Sequence, residues 1–527
     1  MKKSLPAILA IIVLIFISIS PAFSDAKGKS DSVSSLSSLY TAYSYGLIDY
    51  ETFMLYKFLS IVDPDIVPSH LKVKEERNIH KCATPEINDV QRYINFFSPE
   101  NKKKIMEYLF DKQPVAMKKR TGRSSTVERV KGIKGSWNLY RTENFAIKWG
   151  DAEYDEYAHK GINPVDLNNN GIPDLIDKWA EYLEKSWEVE VNGMGLKKPK
   201  GSQENLIDVY IANTSSRKPK LESTDYAYTA TYSGNIPYLV VNNFLPNTHN
   251  DDTDQEVGAI KVTAAHEFSH TIQFAYDRNE AQWWQEASAT WMEDEVFNEV
   301  NDYYQYLSTG AWGARPEIAL TRANGEHEYG DVIWVKYLSQ YYGGSKVFKD
   351  VWKLCEKYSA LNAHKKFFEN NNTTLSKAFK DFSARNATMK VSFIEGDHYA
   401  PVSTIMEHDT YPVIDERIES FPKPPSYLGA NYIKFTNGNG KTLRVTFNGS
   451  KRYEGRKIKW GAVVVKIDSN GLPEVNDIEL DSDQKGSIDV TGFGSNYPEV
   501  YLDVSVLSGG PGNFRQGVPY QYSAELY

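Results

Sequence analysis

Cysteine is scarce in this chain, which has only Cys82 and Cys355 among its 527 residues. Two cysteines far apart in sequence establish no disulfide framework, so the fold does not depend on a set of covalent cross-links. In an oxidising compartment the two could pair with each other. A thiolate from Cys82 that blocks a metal site in a latent precursor is the alternative.

An excess of positive charge and long apolar segments are also absent from most of the chain. The formal net charge is −9, which argues against nucleic acid as the natural partner. Beyond the N-terminus, no segment approaches the roughly 20 apolar residues that span a bilayer. We therefore expect a soluble protein that has no membrane partner once an N-terminal signal is removed.

The N-terminus has the three parts of an export signal. It begins with the basic run Met1-Lys2-Lys3, continues with an apolar stretch over residues 5–19, and reaches a cleavage site of small-residue type at residues 22–24. This pattern predicts a signal peptide over residues 1–24 and a secreted or extracytoplasmic protein. An uncleaved membrane anchor is the alternative reading.

Composition and patterning divide the rest of the chain into three regions, and the predicted fold class is α+β. Hydrophobic residues make up 41% and aromatic residues 13%, which is a globular composition. Residues 25–134 show helical patterning and indicate a helical pro-region or accessory segment, which ends in a basic linker that is either a processing site or a solvated loop. Residues 135–424 contain the motifs that carry chemistry. Residues 425–527 alternate short apolar runs with turn residues, which is typical of an antiparallel β-sandwich.

The pentapeptide His266-Glu267-Phe268-Ser269-His270 is the most informative motif. On an α-helix, positions four apart lie one turn above each other, so His266 and His270 would point the same way and bind one metal ion. Zinc in a catalytic site takes three protein ligands and leaves the fourth position to water. Glu267 would lie beside the metal and act as the general base.

The third zinc ligand is predicted to be Glu286, on a second helix that begins near Asn279. Glu293 and Glu295 lie on the same stretch and compete for the role. Because Glu286 and Glu293 are seven positions apart and share a face, Glu293 is expected to support a ligating histidine rather than to bind the metal.

Two further patterns surround this motif. Thr253 and Glu256 have the spacing of a capping box, which places the start of the zinc helix before Val257. The run Tyr238 to Phe244 is rich in β-formers and is predicted to be a strand, either the exposed sheet edge that holds a substrate or an ordinary buried strand.

A second metal site is predicted upstream, in an Asp/Asn-rich loop. Oxygen ligands at positions 1, 3, 5, 9 and 12, a backbone carbonyl at position 7 and Gly171 at position 6 match a calcium loop. The predicted structural Ca²⁺ ligands are Asp166, Asn168, Asn170, Ile172, Asp174 and Asp177. A metal-free Asn/Gly turn is the alternative.

The paired motifs resemble those of the gluzincin zinc metallopeptidases, in which a Glu on a following helix completes the zinc site. Over roughly residues 137–355 the chain is most similar to a group of secreted bacterial metalloproteases with an Asp/Asn-rich loop. The resemblance implies a zincin-like catalytic domain and an oxyanion donor on a later helix, for which Tyr329 is the candidate and His327 its competitor. The metzincin pattern fails, because Gln273 and Tyr276 stand where it requires Gly and His.

Together these patterns predict a secreted zinc metallopeptidase that hydrolyses a protein or peptide substrate, with catalytic Zn²⁺ and structural Ca²⁺. Since no set of groups that would capture a free amino terminus is identifiable, an endopeptidase is expected. The main alternative is a non-enzymatic, calcium-stabilised surface or adhesion protein with an inactive or structural zinc site. Hydrolysis of a non-peptide amide or an ester would use the same machinery.

Overall fold

The computed structural model describes residues 36–72, 80–112, 117–119, 126–132, 135–215, 219–245, 250–308, 312–420, 423–514 and 516–527. The predicted signal peptide and residues 120–125 of the predicted linker lie outside these residues. Within the described ranges, no helix has both the length and the apolar character needed to cross a membrane.

The N-terminal region is helical and carries one short strand. Its elements are α1 (Leu36–Ser44), α2 (Tyr50–Val62), β1 (His80–Cys82), α3 (Thr84–Tyr93) and α4 (Pro99–Met106). Side chains cap two of these helices: Asp49 accepts from the Thr52 amide, and Ser98 accepts from the Asn101 amide. The region is not separate from the rest of the fold, because β1 joins the large sheet that follows.

A seven-stranded mixed sheet forms the centre of the molecule. Its other strands are β2 (Glu128–Gly132), β3 (Gly135–Arg141), β4 (Phe145–Trp149), β5 (Ile207–Ile211), β6 (Asp225–Tyr232) and β7 (Ile236–Val241), in the order β1-β6-β7-β5-β4-β3-β2. The run predicted as a possible exposed edge therefore forms β7, which is central and pairs with β5 and β6. The boundary predicted at residue 134 falls between β2 and β3, which pair with each other.

Both faces of the sheet are buried along strands β4 to β7, which explains why these strands are nearly continuous apolar runs. Successive residues of a strand point to opposite faces. Accordingly, Val209 and Leu239 pack into a core on one face, while Tyr210 and Tyr238 pack with the N-terminal helices on the other.

The helices on the Val209 face carry the predicted metal-binding motif. They are α5 (Asp174–Trp187), α6 (Gln255–Asp277) and α7 (Gln282–Val296). The cap of α6 is Asp254, which accepts from the amides of Glu256 and Val257, so the predicted cap at Thr253 is one residue early. Short and medium helices follow: α8 (Tyr304–Ser308), α9 (His327–Gly330), α10 (Val332–Tyr342), α11 (Lys346–Cys355), α12 (Ala360–Asn370), α13 (Leu375–Asn386) and α14 (Met389–Ser392).

The C-terminal region is β-rich, as predicted. One sheet has the order β15-β14-β17-β10-β8 and the other β16-β11-β18-β9. Their strands are β8 (Met406–His408), β9 (Val413–Ile418), β10 (Ala430–Phe435), β11 (Lys441–Gly449), β14 (Trp460–Ile467), β15 (Pro473–Asp477), β16 (Lys485–Phe493), β17 (Glu499–Val506) and β18 (Tyr520–Leu526), with a small hairpin of β12 (Arg452–Tyr453) and β13 (Arg456–Lys457). Pairing is antiparallel except between β8 and β10. Since β8 and β9 precede residue 425, these sheets begin earlier than expected.

The chain is thus a mixed α and β protein with a β-rich C-terminus, which confirms the broad fold class. The helical and β-rich parts share one hydrophobic core. They are also joined by polar contacts, since Ser383 donates to Asp503 Oδ1 over 2.7 Å and Tyr432 donates to the Ser383 carbonyl over 2.8 Å. Cys82 and Cys355 are both free and buried, so the disulfide that the sequence left open is not formed.

Candidate metal centre

Three predicted ligands meet between α6 and α7. His266 Nε2 lies 3.2 Å from Glu286 Oε2, and His270 Nε2 lies 3.4 Å from Glu286 Oε1. One helical turn separates the two histidines, and the 15-residue helix α7 crosses them with Glu286 facing the pair. All three side chains are completely buried. The arrangement is the one that the pentapeptide and the downstream glutamate predicted.

Cys82 is the fourth member of this cluster. Its Sγ lies 3.3 Å from His270 Nε2. One ligand atom from each of the four side chains lies within 4.8 Å of the others, and this is the only such group among the described residues. We call Cys82, His266, His270 and Glu286 the metal-ligand cluster. The competing ligand Glu295 is outside it and exposed.

The second ring nitrogens of both histidines are held by neighbouring side chains. His266 Nδ1 lies 2.6 Å from Oε1 of Glu293, the residue predicted to support a ligating histidine. His270 Nδ1 lies 2.8 Å from Gln273 Oε1. Contacts of this kind orient an imidazole so that its other nitrogen faces a metal.

Glu267, the predicted base, lies next to the cluster without belonging to it. Its Oε2 accepts from Thr229 Oγ1 at 2.7 Å and from Thr84 Oγ1 at 2.9 Å. Its Oε1 is buried and has no hydrogen-bond partner in the described part of the chain. A carboxylate held at one oxygen and unpartnered at the other is suited to accept a proton.

Tyr329 contacts two members of the cluster, His266 and Cys82, whereas His327 faces Asp331. The Tyr329 ring is 6.2 Å from that of His266, and its hydroxyl donates to the Cys82 carbonyl over 3.3 Å. His327 Nε2 faces Asp331 Oδ1 at 3.5 Å. Of the two candidate oxyanion donors, Tyr329 is therefore the one for which the structure shows contacts to members of the metal-ligand cluster.

Burial and mutual contacts shift the pKa values of three members of the cluster. Burial lowers the pKa of His266, but hydrogen bonds to Glu286 and Glu293 outweigh it and raise that pKa to about 9. Burial raises the pKa of Glu286, but the charge of His270 and the close contacts with both histidines hold it at about 2. Burial, followed by the charges of Glu267 and Glu286, raises the pKa of the Cys82 thiol well above its usual range. A bound divalent cation would favour the neutral imidazoles and the thiolate, so its binding would release protons.

The donor set fits zinc. Zinc prefers cysteine sulfur, histidine nitrogen and carboxylate oxygen in fourfold coordination, and this site offers one sulfur, two nitrogens and one carboxylate. Glu286 Oε1 is buried without a hydrogen-bond partner among the described residues, as expected of an atom placed for a cation.

Several residues around the cluster were not found from the sequence. Lys81 is buried and pairs with Glu293 and with Asp302. Thr84 and Thr229 hold Glu267, and Gln273 holds His270. The alternation of Tyr and Thr in residues 225–232, followed by a Gly-Asn turn, was a usable signal for β6 and Thr229. No local pattern points to Lys81 or Thr84, because they reach the site only through the tertiary fold.

The predicted calcium loop is ordered by its own side chains. Asp166 accepts from the amides of Asn170 and Gly171, at 3.1 and 2.8 Å. The side-chain amides of Asn168 and Asn170 both donate to Asp177 Oδ2, at 3.1 and 2.7 Å. The loop therefore already closes on its first and last predicted ligands.

The other predicted calcium ligands are engaged in the same loop. Asp174 Oδ1 accepts from the Leu167 amide at 3.0 Å, and the Ile172 amide donates to Asn170 Oδ1 at 2.8 Å. The carboxylates of Asp166, Asp174 and Asp177 are not among the groups whose ligand atoms cluster within 4.8 Å. The calcium site stays a prediction.

Fold and site define a mixed α and β protein with a buried metal-ligand cluster between two helices. The chain belongs to the family described as "Family of unknown function (DUF6055)", whose model matches residues 125–519. No curated protein matches the chain. A solved structure, titled as a novel family GH115 4-O-methyl-alpha-glucuronidase with specificity for decorated arabinogalactans, matches at 10% identity with a TM-score of 0.14. That match covers 63% of this chain and 53% of the other, so the chain spans about half of that protein's length, and the TM-score is too low to carry an argument about fold or function.

The identification as a gluzincin-type metallopeptidase, with its zincin-like domain and endopeptidase activity, is therefore wrong. The matching family is one of unknown function, and no peptidase is among the matches reported above. The physical reason is that the pentapeptide specifies how a helix presents two imidazoles and a carboxylate to a metal. The pentapeptide does not encode the surface that would decide which bond is cleaved, and in the structure Cys82 and Thr84 of the N-terminal region contact His270 and Glu267.

Proposed function

We propose that the protein is a zinc-dependent hydrolase that acts on an ester or a non-peptide amide. The observation that carries the proposal is the convergence of His266, His270 and Glu286 with an unpartnered carboxylate oxygen of Glu267 beside them. A zinc ion held there would lower the pKa of a bound water to about 7 and polarise a carbonyl.

The residues of the chain divide the remaining work. Glu267 Oε1 accepts the proton of the attacking water, while Thr229 holds Oε2 and keeps the carboxylate in place. Glu293 and Gln273 fix the orientation of the two imidazoles. The Tyr329 hydroxyl, once it leaves the Cys82 carbonyl, supplies a donor to the developing oxyanion.

A structural zinc site is the second candidate. It is favoured by Cys82, because four protein ligands close a site, as in structural zinc centres. The unpartnered Oε1 of Glu267 weighs against it, since a purely structural site has no use for a base beside the metal.

Zinc content and ester hydrolysis separate the two candidates. Both are measured on the purified full chain and on its Cys82→Ala variant, with p-nitrophenyl acetate and a set of aliphatic esters and amides as probes. Glu267→Gln is then introduced separately into the full chain and into the Cys82→Ala variant. Glu190→Gln serves as the control, because Glu190 is an equally buried glutamate outside the metal-ligand cluster.

We expect about one zinc per chain in every variant. Hydrolysis should be lost with Glu267→Gln and kept with Glu190→Gln. Removing a general base costs roughly 10²–10⁴-fold in rate. If zinc is bound and neither background hydrolyses any probe, the hydrolase proposal fails and the structural site replaces it.

A further inference from the structure

Residues 81–84 contact several of the groups to which the proposed hydrolysis assigns a role. Cys82 Sγ faces the histidines, and the Cys82 carbonyl receives the Tyr329 hydroxyl. Thr84 donates to the predicted base, Glu267. Lys81 pairs with the carboxylate that holds His266. We call residues 80–84 the capping segment.

The capping segment is held at the edge of the central sheet. Strand β1 pairs in parallel with β6, with Cys82 opposite Ala227. The Ala83 amide donates to the Ala227 carbonyl over 2.9 Å, and the Thr229 amide donates to Thr84 Oγ1 over 2.7 Å. Without β1, the strand that carries Thr229 beside Glu267 would itself be the sheet edge. The segment therefore occupies the place where an outside molecule would approach the metal-ligand cluster.

The side chains of the site are buried beneath their neighbours, the capping segment among them. His266, Glu267, His270 and Glu286 are 0% exposed, and Cys82 is 3% exposed. A substrate carbonyl would reach a bound metal only after covering residues move, and the capping segment at the sheet edge is the candidate for that movement. A fourth protein ligand also takes the position that a catalytic zinc leaves to water.

Lys81 is the main polar anchor of the segment. It is buried between Glu293 and Asp302, with Nζ 2.7 Å from Asp302 Oδ2. A buried cation held by two carboxylates is costly to withdraw while both partners stay in place. The capping segment also lies outside residues 125–519, the range that the family model matches.

We infer that the capping segment is an autoinhibitory element in which the Cys82 thiolate is a displaceable fourth ligand of the bound metal. The consequence, that the protein is an inactive hydrolase until the capping segment moves, rests on the proposed function. The two structural claims of the inference, thiolate ligation and closed access, do not depend on turnover.

The test uses the full chain loaded with Co²⁺ in place of zinc. Thiolate ligation produces a sulfur-to-cobalt charge-transfer band in the near ultraviolet. Access is read from the change that acetohydroxamate, a small bidentate metal ligand, makes in the visible cobalt spectrum. The variants are Cys82→Ala, Cys355→Ala as the matched control at the other buried cysteine, and Lys81→Met, which loosens the anchor but keeps all four ligands.

We expect the charge-transfer band in the wild type and in Cys355→Ala, and its loss in Cys82→Ala while cobalt stays bound. Acetohydroxamate should change the spectrum of Cys82→Ala, leave the wild type unaffected, and bind Lys81→Met with intermediate strength. Ester hydrolysis should rise by about tenfold or more in Cys82→Ala, a factor that corresponds to 1.4 kcal/mol of barrier.

A wild type that binds cobalt without the band, or that binds acetohydroxamate as well as Cys82→Ala does, overturns the inference. Loss of metal from Cys82→Ala also overturns it, because Cys82 would then be an essential ligand. If the band and the acetohydroxamate results are as expected and no variant hydrolyses any probe, the cap stands and the proposed function fails.

Discussion

His266 Nδ1 lies 2.6 Å from Glu293 Oε1, and this contact leaves His266 Nε2 facing the other members of the metal-ligand cluster. Both residues are buried, so solvent does not weaken the contact. The contact links the first helix of the site to the last turns of the second. It makes Glu293 the residue on which the orientation of one ligand depends.

The substitution Glu293→Gln should weaken zinc binding about 10- to 100-fold, as loss of a carboxylate behind a ligating histidine does. The measurement is a competition titration against a chromophoric chelator. Glu295→Gln is the control, because it changes an exposed glutamate on the same helix. Equal zinc affinities in the two variants would contradict the role given to Glu293.

Replacing His270 with Ala should abolish stoichiometric zinc binding, because it leaves a single imidazole, that of His266, beside Glu286 and Cys82. A ligand that binds only the folded state stabilises it, by about 4 kcal/mol at a free concentration 1,000 times its Kd. Chelation should therefore lower the melting temperature of the wild type and leave His270→Ala unchanged. His364→Ala is the comparison, because His364 is equally buried and contacts the Ala360 carbonyl instead. An equal response to chelation in wild type and His270→Ala would exclude metal binding at this cluster.

Calcium should raise the melting temperature if the loop from Asp166 to Asp177 binds it, by an amount that corresponds to about 2.7 kcal/mol at 100 times the Kd. Asp177→Asn should remove this response, because Asp177 receives both loop amides and is the last predicted ligand. Glu181→Gln, an exposed change on the same helix, should keep it. If added calcium leaves the wild-type melting curve unchanged, the Asn/Gly turn without metal is the correct interpretation.

Asp503 should make stability fall with rising pH. Burial raises its pKa from 3.8 to about 8, so the folded state keeps the proton while the unfolded state loses it. The contribution of Asp503 is fully present below pH 3.8 and is lost as the pH rises from there through about 8. Asp503→Asn mimics the protonated acid and should become more stable than the wild type over this interval, by a few kcal/mol at its upper end.

Urea unfolding at several pH values checks the Asp503 prediction, with Asp489→Asn as the control on an exposed aspartate of the neighbouring sheet. A constant difference between Asp503→Asn and the wild type from pH 4 to pH 8 would show that Asp503 is ionised in the folded state.

The fold was predictable where a strong local pattern existed. The apolar stripe through the pentapeptide predicted the buried helix α6, and alternating runs near the C-terminus predicted its β-rich character. The position of Tyr238 in the sheet was not predictable in this way. A sheet edge and a central buried strand can have the same apolar sequence, and which one applies depends on the strands that pair on either side.

The sequence by itself determined the ligand types and the spacing of His266, His270 and Glu286, because helical geometry converts four-residue spacing into a shared face. Only the tertiary structure decided that Cys82 joins them and that Thr84 holds Glu267. Those contacts join residues more than 180 positions apart. Long-range contacts depend on how the elements pack, and no local propensity encodes them. For the same reason the motif indicated a metal site, and only the packing of β1 on β6 placed the N-terminal region over it.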